Sequence, residues 1–331
     1  MQGDGTARRC RARQRVAPAA LTHSPGGGNP GARTSAFLLL ALANLFWAGN
    51  WVIGRALRDS LDPLTLNFFR WLIVVLVLAP FAWPALCARR ALLIRHARWL
   101  FVLALTGVVV FQLLIYTGLR TTTTVNAVLL NSSSPLFIVV CSWLIERERA
   151  TRGQILGMLI SLGGILIILA RGELERLAQV EFHLGDAWIL LAMAMWGIYS
   201  VLLKRKPPEL GGVLLLFVLS VAGLALMLPF YLWHAVSAPL PAAGAATVMA
   251  VFYIALAASI GSFICWNQGV AAVGANAAGV TMHLLPAFGT ILAMLFLGET
   301  FQAFHAAGIG TILIGVVIAT RSAPPMPAAP S

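Results

Sequence analysis

The sequence predicts an all-α membrane protein of ten transmembrane helices, built as two inverted repeats of five helices each. Apolar residues make up 60% of the 331 residues and charged residues 10%, and the mean hydropathy is +0.87. This composition is too apolar for a single water-soluble core. Apolar segments of about 18 to 25 residues, long enough to cross a bilayer as helices, recur along the chain. The two halves of the chain also match each other at a fixed shift.

The ten predicted spans are separated by short loops. They cover residues 36–57, 64–86, 99–119, 124–145, 154–170, 186–203, 211–233, 247–267, 275–297 and 303–320. Residues 1–34 are rich in Arg and end in a Gly/Pro stretch, which is typical of a disordered basic cytoplasmic tail or of an organelle transit peptide. We favour the tail, and we predict a disordered C-terminal tail over residues 322–331. The first span is too long for the apolar core of a signal peptide, so we expect it to remain as helix one.

The charges indicate the topology. The formal net charge is +12, but Lys and Arg lie in loops between apolar spans rather than on one solvated face, which argues against a nucleic-acid partner. The N-terminal tail, the even-numbered loops and the C-terminal end carry 17 of these residues, and the odd-numbered loops carry five. The positive-inside rule therefore places both termini in the cytoplasm. We expect a multi-pass protein of the lipid bilayer, in a bacterial inner membrane.

The second half of the chain repeats the first at a shift of 151 residues. Features of several kinds align at this shift without gaps, and the pairs are Gly118 with Gly269, Pro135 with Pro286, Glu148 with Glu299, Gly157 with Gly308, and Gly164 with Gly315. Nearer the start of each half, Trp47 matches Trp196 at a shift of 149. The predicted repeats are residues 35–171 and 186–321.

Five is an odd number, so the second repeat must cross the membrane in the opposite direction to the first. The repeats are then related by a pseudo-two-fold axis in the membrane plane. The charges agree, because Glu148 lies on the Arg-rich side and Glu299 on the opposite side. Two halves of like structure and opposite orientation favour transport by alternating access.

Several short motifs, taken in their order and duplication, resemble a known family. They are Phe46-Trp47-Ala48-Gly49-Asn50 in the first span, Arg70 in the second, Tyr116 and Gly118 at the end of the third, and the paired Pro135…Glu148 and Gly298-Glu299 elements. Over residues 36–320 the chain resembles the EamA-type transporters of the drug/metabolite transporter superfamily. The first repeat departs slightly, with Glu146-Arg147-Glu148 in place of a Gly-Glu ending. The resemblance implies a ten-helix transporter, with amino acids and their derivatives as candidate substrates.

Two spans carry a proline and polar side chains near their centres. Pro135 and Pro286 each remove an amide hydrogen, and such a break is tolerated in a membrane only where it faces protein or a watery cavity. The polar residues beside them are Asn131, Ser132, Ser133, Thr281 and His283. We predict that these centres form the walls of a substrate cavity; the alternative is that kinks and hydroxyls only help the helices pack.

Further candidates lie in three other places. His283 is the only mid-span histidine, and it either contacts substrate or a proton, or packs in its neutral form against a neighbouring helix. Arg70 lies about seven residues inside its span, so it either snorkels to the interface or turns inward to attract a carboxylate. In the first span, Asn50 and Trp47 are candidate substrate contacts, whereas Trp51 near the helix end is expected to anchor the interface.

Some functions are disfavoured by what the spans do not contain. No Asp or Glu lies deep in any span, unlike the membrane carboxylate used by the small multidrug members of the superfamily, so export of lipophilic cations is disfavoured. The four cysteines are scattered, so we predict no metal, redox or cofactor site. A membrane-embedded lipid-modifying enzyme lacks a visible catalytic group, and a receptor or scaffold lacks large loops.

The resulting hypothesis is a secondary transporter, acting as an exporter, of a small neutral or zwitterionic metabolite. Its partners are then the metabolite and the bilayer. The patterns Gly153-x-x-x-Gly157 and Ala306-x-x-x-Gly310 allow close helix contact. Packing within the monomer and a homodimer both remain open.

Overall fold

The computed structural model describes residues 30–57, 60–170, 181–237, 244–297 and 300–322. Every regular element in these ranges is helical. In chain order the α-helices are α1 (Pro30–Ala56), α2 (Pro63–Ala88), α3 (Arg90–Arg95), α4 (Ala97–Leu103), α5 (Phe111–Thr121), α6 (Thr124–Asn131), α7 (Ser134–Glu146), α8 (Arg152–Ala170), α9 (Leu184–Leu202), α10 (Gly212–Ser237), α11 (Ala245–Ala255), α12 (Ser262–Val273), α13 (Ala275–Val280), α14 (Leu284–Leu297) and α15 (Ala303–Arg321). Short 3₁₀ turns cover Leu203–Arg205 and Thr281–His283.

Nine helices in the described ranges are long and apolar enough to cross a membrane. They cover nine of the ten predicted spans. The other predicted span, 275–297, is helical in three pieces, namely α13, the 3₁₀ turn Thr281–His283 and α14. The prediction of an all-helical chain with many segments able to cross a membrane is therefore confirmed for the described residues, and the count of ten stays a prediction.

Two boundaries differ from the predicted ones by six residues each. Helix α1 begins at Pro30, so residues 30–34 belong to a helix and not to the predicted tail. Proline is well suited to the first turn of a helix, where its missing N–H costs nothing. Helix α12 continues to Val273, six residues past the predicted end, and stops where Gly274 adopts a φ of +82°, which glycine reaches without strain. Residues 1–29 and 323–331 of the predicted tails lie outside the described residues.

Helix α2 begins at a charged cap. Asp62 precedes the helix, and its carboxylate accepts hydrogen bonds from the amides of Leu64 and Thr65, both at 3.0 Å. The same carboxylate lies 3.2 Å from Nε2 of His234 in α10. Burial by itself would raise the pKa of Asp62, but the hydrogen bonds from Thr65 and the nearby His234 outweigh it, so the pKa lies below its ordinary value of 3.8.

Two π-helical segments occur at corresponding places in the two halves. They cover Ala104–Val110, between α4 and α5, and Leu256–Gly261, between α11 and α12. At the 151-residue shift these segments coincide to within one residue, although nothing in the sequence analysis predicted them. A π turn widens a helix locally and is often found at functional sites.

Helices α8 and α15 pack tightly against each other along glycines. A Cβ atom added to Gly157 would meet the carbonyl oxygen of Gly315, and one added to Gly164 would lie 2.6 Å from the carbonyl oxygen of Gly308. At the 151-residue shift Gly157 corresponds to Gly308 and Gly164 to Gly315, so the two contacts are equivalent when the halves of the chain are exchanged. Gly157 therefore serves helix packing within the monomer.

The other small-residue pattern, Ala306-x-x-x-Gly310, lies on a more open face of α15. Ala306 is exposed, and a Cβ atom added to Gly310 would meet nothing within 4 Å.

Other contacts also occur twice, at equivalent places in the two halves of the chain. Helix α1 packs on α12 and α14, and α9 packs on the corresponding α5 and α7. Tyr116 donates a hydrogen bond to Asn50 at 3.1 Å, and Tyr199 donates one to Asn267 at 2.9 Å. In the repeat, Tyr199 corresponds to Asn50 and Asn267 corresponds to Tyr116.

Two hydrogen-bond contacts join a residue to its own counterpart. Oγ of Ser161 donates to the carbonyl oxygen of Ile312 at 3.2 Å, and Nε2 of His283 lies 3.0 Å from the carbonyl oxygen of Ser132. Both pairs are 151 residues apart in the chain. Residues related by a two-fold axis can touch only where they lie beside that axis.

Candidate functional site

A small cavity lies between the two halves of the chain. Its lining residues are Trp47, Asn50 and Trp51 of α1, Phe111, Gln112 and Ile115 of α5, Asn131 of α6, Trp196 of α9, Met282 of the 3₁₀ turn, and Leu285 of α14. The volume open to the centres of water-sized molecules is about 20 Å³, room for about one water. The cavity is nearly filled by its own side chains in this conformation.

Aromatic rings form much of the cavity wall. The rings of Trp47 and Trp196, which are repeat counterparts, meet edge to face with centroids 5.1 Å apart. Phe111 lies 4.9 Å from Trp196. Nε1 of Trp47 donates to the carbonyl oxygen of Ala258, in the second π segment, at 3.2 Å. The wall is therefore rigid and mainly apolar, as is common for small-molecule sites.

Two residues that line the cavity carry a buried polar group with no hydrogen-bond partner among the described residues. The groups are the indole N–H of Trp196 and the side-chain amide nitrogen of Asn131. A buried donor without a partner costs free energy, so such groups are uncommon unless a water or ligand satisfies them. Both groups are donors, and they are suited to a ligand that carries hydrogen-bond acceptors.

Three of the predicted site residues line the cavity, namely Trp47, Asn50 and Asn131. Trp51 lines it as well, five residues before the end of α1 at Ala56. The expectation that this residue anchors the membrane interface stays a prediction.

The hydroxyls at the two helix breaks bond to nearby backbone. Ser132 and Ser133 donate to the carbonyl oxygens three or four residues earlier, at 2.7 and 2.6 Å. Thr281 donates to the carbonyl of Ala278 at 2.6 Å and accepts from the amide of Asn44 at 3.3 Å. None of these three is among the cavity-lining residues, and their bonds stabilise the breaks themselves.

The two prolines follow interruptions of their helices. Pro135 lies in the first turn of α7, after the helix is interrupted at Ser132 and Ser133, and Pro286 lies in the first turn of α14, after the 3₁₀ turn. His283 is fully buried in that turn and bonds to the facing break through Ser132. The two breaks therefore meet across the centre of the molecule.

Arg70 is fully buried and points into the protein, so it does not snorkel to the interface. Its guanidinium donates to the hydroxyl of Ser259, to Oε1 of Gln112 at 2.8 Å, to the hydroxyl of Tyr116 at 2.9 Å, and to the carbonyl oxygen of Ala258 at 3.0 Å. It also lies over the ring of Trp71, 5.2 Å from the centroid. The second π segment supplies two of these oxygens.

Several lining residues were missed by the sequence analysis as site residues. Phe111 and Gln112 are adjacent on α5 and Ile115 follows one helical turn later, in a stretch where no polar cluster or proline marked them. Trp196 carried a usable signal, because it is the repeat counterpart of the candidate Trp47. Among the described residues no group of three His, Cys, Asp or Glu side chains is placed to hold a metal ion.

Comparisons with known proteins agree on one family. The sequence profile of the EamA-like transporter family matches residues 34–170 and again residues 183–321. An "Uncharacterized transporter" of Archaeoglobus fulgidus is 27% identical over 86% of this chain and 96% of its own length. The "Uncharacterized transporter YetK" of Bacillus subtilis is 25% identical, over 86% of each chain.

One relative has a more specific name, and one solved structure shares the fold. The "Probable terminal-alkyne amino-acid exporter" of Streptantibioticus cattleyicolor is 27% identical over 85% of this chain and 92% of its own. A crystal structure superposes with a TM-score of 0.66 at 23% identity, over 88% of this chain and 98% of the other. The chain is a multi-pass membrane transporter and belongs to the EamA-like transporter family.

Proposed function

We propose that the protein is a secondary transporter that exports a small neutral or zwitterionic metabolite, such as an amino acid or a derivative, across a bacterial inner membrane. The observation that carries this proposal is the cavity between the two halves, with its aromatic wall and its two unpartnered donors. Asn50, Trp47 and Asn131 would contact the substrate directly. Arg70, Gln112 and Trp196 would complete the site.

The mechanism proposed is alternating access between two inverted repeats of five helices, with ten spans and both termini in the cytoplasm. The contacts between repeat counterparts support a two-fold axis between the halves, because Ser161 bonds to Ile312 and His283 bonds to Ser132, each 151 residues away. The excess of Lys and Arg in the N-terminal tail and even-numbered loops supports the orientation.

The chemistry of the cavity supports the substrate class. An amino acid presents a carboxylate to the N–H groups of Trp196 and Asn131, and its ammonium group is attracted to the faces of aromatic rings. The relative from Streptantibioticus cattleyicolor bears a name that includes amino-acid export. The small free volume implies that the helices must separate before a metabolite enters.

Ion pairs support a state that is closed on the side predicted to be cytoplasmic. Lys204 pairs with Glu148, and Nε of Arg205 lies 2.7 Å from Oε1 of Glu146. These pairs join the end of α7 to the turn after α9, and hence one proposed repeat to the other. Opening toward the cytoplasm would break them, at a small cost because their side chains are partly exposed.

Reconstitution into liposomes tests the proposal directly. Purified protein is tested with a panel of labelled amino acids, sugars, nucleosides and carboxylic acids, with protein-free liposomes as the control. We expect saturable flux of at least one compound, and we expect the Trp196→Phe variant, which removes an unpartnered donor, to raise KM for it. Folded protein that moves no compound in the panel would contradict the proposal.

For oligomeric state we propose that any homodimer would use the face of α15 that carries Ala306 and Gly310. The basis is the open surface at these residues, which allows close approach of a second helix. Replacing Gly310 with Leu should then shift the protein toward monomer in size-exclusion chromatography with light scattering. An unchanged mass would remove this face from consideration.

A further inference from the structure

Arg70 carries a buried positive charge whose partners are all neutral. Four of its N–H groups are bonded, to two hydroxyl oxygens, one amide oxygen and one carbonyl oxygen. The ion pairs that the described residues form lie elsewhere, at Asp62, Asp186, Glu146 and Glu148. A guanidinium stays protonated in proteins, so the charge remains.

Two hydrogen-bonded neighbours connect Arg70 to the cavity lining. Gln112 accepts from Arg70 and also lines the cavity. Tyr116 accepts from the same guanidinium nitrogen and donates to Oδ1 of Asn50, which lines the cavity too. Arg70 is fully buried, so the field of its guanidinium is weakly screened.

A second observation points to the same ligand chemistry. Trp196 and Asn131 line the cavity, and the unpartnered buried groups that they carry are both N–H donors. A carboxylate supplies acceptors for such donors together with the negative charge that Arg70 lacks.

We propose that the cavity selects substrates bearing a carboxylate, and that Gln112 and Tyr116 are positioning residues that hold Arg70 for this selection. The proposal rests on the transport function proposed above and narrows it from neutral or zwitterionic metabolites to carboxylate-bearing ones. Arg70 acts through its neighbours, because it does not itself line the cavity.

The first test compares acids with their amides in the wild-type protein. The probes are the common L-amino acids and the matching L-amino acid amides, which differ at the carboxylate. Binding is read from the fluorescence of the cavity tryptophans, and flux from liposomes. We expect at least one acid to bind and to be transported about ten-fold or more better than its amide.

The second test compensates the positive charge of Arg70 with a substitution that changes the shape of the neighbouring side chain little. In the Gln112→Glu variant the new carboxylate can still accept from Arg70 but compensates its charge. We expect the preference for acid over amide to fall about ten-fold, with the thermal stability retained. Gln154→Glu is the matched control, because Gln154 is equally buried but caps α8 by accepting from the amide of Thr151 at 2.8 Å, where Glu serves equally well.

The outcomes separate this inference from the transport function. Equal transport of acids and amides overturns the carboxylate selection while leaving transport intact. Binding of no acid in the panel also overturns it, whatever other compound is carried. If Gln112→Glu keeps the wild-type preference, Arg70 is not its source; if that variant does not fold, the acid-to-amide comparison in the wild type decides alone.

Discussion

Replacing Gly164 with Ala should push α8 and α15 apart. A Cβ atom there would lie 2.6 Å from the carbonyl oxygen of Gly308 and 2.8 Å from the amide nitrogen of Ile312, and both are backbone atoms. Ordinary contact begins near 3.4 Å, so the helices must separate locally by about 0.8 Å. Overpacking of this kind costs about 1–3 kcal/mol.

The neighbouring Gly163 provides a matched control. It lies in the same helix, and a Cβ atom added there would meet nothing within 4 Å. Ala is favoured over Gly in a helix by about 0.5–1 kcal/mol, and this gain applies to both variants. We therefore expect Gly163→Ala to raise stability slightly, and Gly164→Ala to be less stable than Gly163→Ala by about 1–3 kcal/mol.

Thermal unfolding in detergent measures the difference. Tryptophan fluorescence gives Tm, and a gap of roughly 1–4 °C between the two variants is expected for a protein of this size. The counterpart change Gly308→Ala should lower Tm in the same direction, because its Cβ would lie 2.8 Å from the carbonyl oxygen of Gly164. A Tm for Gly164→Ala equal to or above that of Gly163→Ala would refute the close packing of these two helices.

Three further predictions concern polar groups. The pKa of Asp62 in the folded protein lies below its ordinary value of 3.8, so ionised Asp62 stabilises the fold above that value, and this stability is lost as pH falls through the folded pKa. The Tm of the wild type should therefore drop more steeply below about pH 4 than that of Asp62→Asn. Parallel curves of Tm against pH would contradict this. Tyr116→Phe leaves two buried partners unsatisfied and Tyr199→Phe leaves one, so Tyr116→Phe should lower the free energy of unfolding more, by about 1–3 kcal/mol against about 1 kcal/mol, in the same thermal assay. His283→Ala removes the bond to the facing helix break and leaves a void, so its Tm should fall by several degrees; an unchanged Tm would show that this contact adds no stability.

Sequence reasoning identified the cavity only where a polar residue lay in a known context. Asn50 and Trp47 were found because they belong to a family-like motif, and Asn131 because it is a polar residue beside a mid-span proline. Ser132, Ser133 and Thr281 were conspicuous for the same reason, yet their hydroxyls bond to local backbone. Polarity alone does not distinguish a hydroxyl that satisfies a helix break from one that faces a ligand.

Arg70 shows what periodicity and hydropathy leave undecided. From its position the side chain had two ways to satisfy its charge, outward to the interface or inward. The π segment at Leu256–Gly261 presents the carbonyl of Ala258 and the hydroxyl of Ser259 to it, from a helix almost 190 residues away in the chain. A partner at that separation, on an irregular turn, leaves no mark in the local sequence.

The sequence by itself determined the membrane class, most helix positions and the duplication, because each depends on local apolarity or on matching residues along the chain. Only the tertiary structure decided which side chains share the cavity and where Arg70 points. These depend on how α1 and α9 cross to pack on the opposite halves, and on two π turns that rotate the following residues of α5 and α12. Helix crossing and turn geometry are settled by packing of residues far apart in the chain, so they emerge only when the helices are assembled.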